Sequence, residues 1–191
     1  MKNINLLRSS LFLIFFVTIP SNNFAETMLK DTFQDSSQWE YIADNVMGGI
    51  STGGVEFERI EGESIAILTG NVTTENNGGF IQIRRDLSGI NLDKANSIRL
   101  IAKGNKQKYF VFLRTTGTIL PWQYYQSEFT VDEDFSEFIL PIEGFKKFSI
   151  GYTGFLMANK INPKKITSIG LVAFGRDHLA EIYIKELEFI K

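Results

Sequence analysis

The chain has 191 residues, 43% of them hydrophobic and 22% charged, the balance of an ordinary soluble globule with enough apolar content for one core. It has no cysteine and a single histidine, His178, which excludes disulfides and thiol chemistry and nearly closes off His-dependent triads and multi-His metal sites. A formal net charge of −2 supplies neither a basic field for nucleic acid nor an acidic tail.

The chain opens with Lys2 and Arg8, an apolar run over 11–19 broken only by Thr18, and then Pro20, Ser21, Asn22 and Ala25. This is the layout of a secretory signal over residues 1–25, removed to leave one domain over 26–191. The run is shorter than the roughly 20 apolar residues a spanning helix needs, so no integral membrane span is expected after cleavage. Removal takes away Lys2 and Arg8 and no acid, leaving 18 basic residues against 22 acidic, a net −4 that does not suit a nucleic-acid partner. The expectation is an exported protein, periplasmic or secreted. The absence of disulfides in an exported chain suggests a bacterial source.

From Glu26 onward the sequence lacks helical periodicity and alternates in short runs between Gly, Asn and Asp. Strands are predicted over 39–43, 55–60, 64–70, 79–84, 97–103, 108–114, 123–130, 137–141, 166–174 and 180–190. The alternation puts Ile98, Leu100 and Ala102 on one face, and Tyr109, Val111 and Leu113 on one face. In the last strand Ile182 and Ile184 are out of phase with Leu187 and Phe189, which predicts a bulge near Lys185–Glu186. The segment 145–163 reads as a long loop with a short helix, and His178, beside Asp177, as a loop residue. About ten short strands argue for an all-β sandwich or barrel.

Two segments stand apart: Asp44-Asn-Val-Met-Gly-Gly-Ile-Ser51 and Glu75-Asn-Asn-Gly-Gly-Phe80. Both place Asn before a Gly pair, which suits tight turns. Outward-pointing amides in such turns would hold an anion or a sugar hydroxyl; plain turn chemistry between strands explains them equally well. Together with Trp39, Arg84, Lys103-Gly104, Tyr109, Arg114, Tyr125, Phe129, Leu140-Pro141, Phe145 and Ile169-Gly170, in that order along the chain, these segments resemble the complex I intermediate-associated protein 30 family. The resemblance implies a galactose-binding-domain-like β-sandwich, a jelly roll, and a non-catalytic role in assembly of the NADH:ubiquinone oxidoreductase. The chain departs from the family pattern at Gly104-Asn-Lys-Gln-Lys108, where a Gly-Asp-Gly-Arg is frequent, and at Phe138, where a Trp is common. An export signal also separates this chain from the cytoplasmic arm of that enzyme in bacteria.

Alternation also defines a second face. Phe80, Gln82 and Arg84 share one side of their strand; Phe110, Phe112 and Arg114 share one side of theirs; Tyr124, Gln126 and Glu128 do likewise. In one sheet these would make an aromatic, amide and guanidinium surface suited to sugar rings and hydroxyls, or simply the solvated face of a sandwich. The candidate ligand-binding residues are therefore Asp44, Asn45, Ser51, Asn76, Asn77, Phe80, Gln82, Arg84, Arg114, Trp122, Tyr124 and Gln126. The function expected is a binding or assembly module acting on a protein partner or a glycan, the alternative being a carbohydrate-binding module that uses the outward sheet face. No catalytic residue, metal site or cofactor is expected. Asp132-Glu133-Asp134 reads as a solvated turn.

Overall fold

The computed structural model describes residues 26–149 and 157–191; the predicted signal and part of the irregular 145–163 segment lie outside the described residues. Among the described residues the regular structure is twelve strands and short 3-10 turns, and no helix is long and apolar enough to cross a membrane. The first sheet holds β1 (Thr27–Asp31), β3 (Thr52–Ile60), β4 (Glu63–Val72), β6 (Ser97–Gly104), β9 (Ser136–Pro141) and β12 (His178–Ile190), in the order β3-β4-β12-β6-β9 with β1 also paired to β12. The second holds β2 (Trp39–Ala43), β5 (Phe80–Asp86), β7 (Lys108–Thr115), β8 (Tyr124–Thr130), β10 (Lys146–Phe148) and β11 (Ile166–Phe174), in the order β10-β8-β7-β11-β5-β2. The two antiparallel sheets form a β-sandwich of jelly-roll type, the expected fold class.

The core lies where alternation puts it. Ile98, Leu100 and Ala102 of β6 and Ala66 and Leu68 of β4 are buried against Ile81 and Ile83 of β5, Tyr109, Val111 and Leu113 of β7, and Ile169 and Leu171 of β11. The ladder of β12 slips between Ile184 and Glu186, so Ile182, Ile184, Leu187 and Phe189 are all buried despite their phase change. The β3–β4 hairpin turns through Glu61 and Gly62, both at positive φ (52° and 87°), which sets the two-residue turn that matches strand twist.

Two buried polar clusters tie the sheets together. Asp31, at the end of β1, accepts from the Phe33 amide (2.7 Å) and from Trp39 Nε1 (2.9 Å), and pairs with Arg85 of β5. This fixes the crossing of the chain from the first sheet to the second. The Tyr109 hydroxyl donates to Asn105 Oδ1 (2.8 Å) and accepts from the Glu181 amide (2.8 Å). Burial pushes its pKa up to about 12.

Two strands escape the sequence reading. β1 is five residues at the start of the described chain, and β10 is a three-residue edge strand inside the segment read as loop. Pairing with β12 and β8, rather than any local pattern, makes them strands. His178 is not a loop residue: it opens β12 opposite Val72, with Nδ1 2.8 Å from the Arg176 carbonyl, and burial lowers its pKa.

Candidate ligand-binding face

The two glycine–asparagine segments meet around Asp44. Its carboxylate is buried and accepts from the Ser51 amide (2.9 Å) and hydroxyl (2.5 Å), from the Gly79 amide (2.6 Å) and from the Phe80 amide (3.2 Å). Burial opposes ionisation, but these donors outweigh it and hold the carboxyl below its usual range. Gly49 and Gly78 are glycine because a Cβ at either would sit 2.4 Å from an Asp44 side-chain atom. Thr74 then fastens the second turn to Asp177 through its amide (2.7 Å) and hydroxyl (2.8 Å). The amides do gather round an anion, but they face inward and the anion is the protein's own. Asp44 and Ser51 thus present no group outward, whereas Asn45, Asn76 and Asn77 are exposed, the last two at φ 55° and 60°.

The other predicted residues come together on the outer face of the second sheet. β11 separates β5 from β7, so the face reads across four strands. Gly170 lies between Arg84 and Phe112, Val172 between Gln82 and Phe110, and Phe174 opposite Phe80. Further along, Phe112 lies opposite Gln126, which in turn lies opposite Lys146, and Tyr124 lies opposite Phe148.

This face has two halves. In one, Phe112 stacks on Tyr124 (centroids 3.9 Å apart) and Tyr124 on Phe148 (4.8 Å), while Phe174 meets Phe110, Phe112 and Phe148 edge-on. Phe112 and Tyr124 are each only 8% exposed, and burial raises the Tyr124 pKa. Ring faces expected to meet a sugar are occupied by neighbouring rings. These aromatics form a dry wall rather than a stacking platform. Phe80, Phe110, Phe148 and Phe174 are only partly buried, and Trp122, 36% exposed, lies in the loop before β8.

The other half is an open, polar depression of about 560 Å³, lined among others by Glu40, Arg84, Asp86, Arg114, Thr118 and Ser168. Arg84 Nη2 donates to Glu40 (3.0 Å) on β2. Arg114 Nη2 donates to the carbonyls of Thr118 (3.0 Å) and Leu120 (3.1 Å), which clamps the loop carrying Trp122. Desolvation, and then the neighbouring Arg84 charge, lower the Arg114 pKa. Gln126 Oε1 is buried with no hydrogen-bond partner among the described residues.

Residues 24–181 match the sequence model of the complex I intermediate-associated protein 30 family. The chain belongs to this family. No curated protein matches it by sequence. In structure this family member is similar to the family 11 carbohydrate-binding module from Clostridium thermocellum, solved in complex with a β-1,3-1,4-mixed-linked tetrasaccharide (14% identity, TM-score 0.68, 87% of this chain and 95% of that one). It is also similar to the family 11 module of the cellulosomal cellulase Lic26A-Cel5E of the same organism (12% identity, TM-score 0.68, 90% and 97%) and to a family 30 carbohydrate-binding module (11% identity, TM-score 0.52, 89% and 90%). At these identities the likeness establishes the fold.

Sequence reading missed part of this family member's face. Ser168, Gly170, Val172 and Phe174 alternate with buried Ile169, Leu171 and Ala173, a period-2 signal that was available; what it lacked was the position of β11 between β5 and β7. Phe148 was hidden in the segment read as loop. Glu40 and Thr118 carry no signal of their own, because only strand pairing and the loop clamp bring them to the depression.

Proposed function

We propose that this protein is a non-catalytic binding module that acts outside the cytoplasm and takes a glycan on the outer face of its second sheet. The observation that carries the reading is the depression itself. Two guanidinium groups, two carboxylates and the Ser168 side chain line it, and the stacked rings of Phe112 and Tyr124 lie on the same face of the sheet. Its volume of about 560 Å³ falls in the range of small-ligand sites. Planar guanidinium and carboxylate groups suit the paired hydroxyls of a sugar ring. The fold shared with carbohydrate-binding modules supports the same reading.

A paired-carboxylate hydrolase fits less well. It requires one acid with a raised pKa. Here Asp86 is held below its usual range by hydrogen bonds from the Ser88 side chain and amide. A protein partner is the second reading, favoured by Val46, Met47 and Ile50, three apolar side chains left exposed around the first turn.

The test is a glycan array probed with the purified protein and with a Glu40→Ala/Arg84→Ala double variant. That change removes an exposed ion pair as a unit, worth about 0–1 kcal/mol of stability. Binding by the wild type and its loss in the folded double variant is the expected result. A blank array together with a stoichiometric protein co-purifying from envelope extract moves the assignment to the protein-partner reading.

A further inference from the structure

Arg114 is a partly buried cation without a counter-ion. Among the described residues it forms no ion pair, and its polar contacts are the carbonyls of Thr118 and Leu120 through Nη2 and the Thr118 hydroxyl at 3.5 Å through Nε. Nη1 has no partner among the described residues and is not fully buried, and Arg114 lines the depression. The two carboxylates of the same depression are engaged elsewhere: Glu40 with Arg84, and Asp86 with Ser88. Ser168, which also lines the depression, stands opposite Arg114 in register, while Gly170, opposite Arg84, is covered by the side-chain amide of Gln82, whose Oε1 would lie 2.8 Å from a Cβ there. A desolvated charge without a counter-ion is costly. Guanidinium groups are matched by planar or tetrahedral oxyanions through paired hydrogen bonds.

Resting on the glycan reading above, we infer that the depression selects an acidic glycan, with an anionic group on the sugar, a carboxylate or a sulfate ester, received between Arg114 and Arg84. The ligand then supplies the counter-ion that the fold withholds from Arg114. The rest of the protein opposes polyanions, since the chain after the predicted signal carries 18 basic residues against 22 acidic. Retention by a polyanion would thus report the local site rather than the overall charge.

Affinity electrophoresis against polygalacturonate, dextran sulfate and a neutral mixed-linkage β-glucan separates the outcomes. The expected result is retention by an anionic polymer, weakened as NaCl is raised from 50 to 500 mM. Retention by polygalacturonate names the carboxylate, and retention by dextran sulfate names the sulfate. Arg114→Gln should weaken binding about 10- to 100-fold, the loss of one charge-assisted hydrogen-bonded contact. Arg114→Lys should recover part of it by restoring charge without the fork. Arg84→Gln, at a half-buried position on the same depression, is the second variant should Arg114→Gln melt early. Equal binding to the neutral glucan, unaffected by salt and by either arginine variant, overturns the acidic-glycan inference and leaves the glycan reading standing. No retention by any polymer, with a blank glycan array, overturns both.

Discussion

Replacing Asp44 by alanine tests whether the paired glycine–asparagine turns are a structural clasp. The change leaves three amides, those of Ser51, Gly79 and Phe80, without their acceptor, while the Ser51 hydroxyl keeps the Thr73 carbonyl at 3.2 Å. A buried donor without a partner costs about 1–3 kcal/mol, and water entering the vacated space recovers part of the sum. A net loss of about 3–5 kcal/mol follows, the size seen when one member of a buried charged contact is deleted. In a chain of this length about 1 kcal/mol moves the melting temperature by about 2–4 °C, so Asp44→Ala should melt about 6–20 °C below the wild type at pH 7. The pH dependence adds a second readout. Donors hold the folded-state pKa of Asp44 below its unfolded value of about 3.9, so its contribution is complete above that pH and is lost as pH falls through the folded-state pKa. The gap between variant and wild type should therefore narrow below about pH 4. Thermal and urea unfolding followed by circular dichroism measure both effects. A melting temperature within 2 °C of wild type at pH 7 would refute the clasp.

Other substitutions separate neighbouring causes. Gly78→Ala puts a Cβ 2.4 Å from Asp44 Oδ2 and should cost about 2–3 kcal/mol in urea unfolding. Gly48→Ala, at φ 91° with nothing within 4 Å, should cost only about 1 kcal/mol, so the pair distinguishes crowding from backbone conformation. Tyr109→Phe leaves the Glu181 amide and Asn105 without their partner and should cost about 1–2 kcal/mol; in the wild type the ultraviolet phenolate signal of this residue should appear only near pH 12. Asp31→Ala strands the Arg85 charge, 12% exposed, and the Trp39 indole N–H, and should destabilise by about 3–5 kcal/mol with a shift in tryptophan fluorescence.

What the sequence made legible follows the range of its signals. Strand alternation is local, so it located the inner faces of β5, β6, β7 and β8, and the phase break in β12 located its bulge. Pairing order is not local. Nothing in 166–174 says that it inserts between β5 and β7, so the outer face was read as three strands without their centre. The turns mislead for a related reason. Asn and Gly report that a turn forms, but whether its amides face out or in depends on Asp44 lying 35 residues before Gly79. The aromatic residues were located correctly on the outer face, but their mutual stacking, which closes the ring faces of Phe112 and Tyr124, arises only when β7, β8 and β10 lie side by side.

Backbone chemical-shift mapping with the strongest glycan from the array would decide where the ligand lies. Perturbed amides should cluster on β5, β7 and β11 around Arg84, Arg114 and Ser168, with the turns at Asn45, Asn76 and Asn77 unmoved. Perturbations confined to those turns, or absent from the second sheet altogether, would contradict the outer face of that sheet as the binding surface.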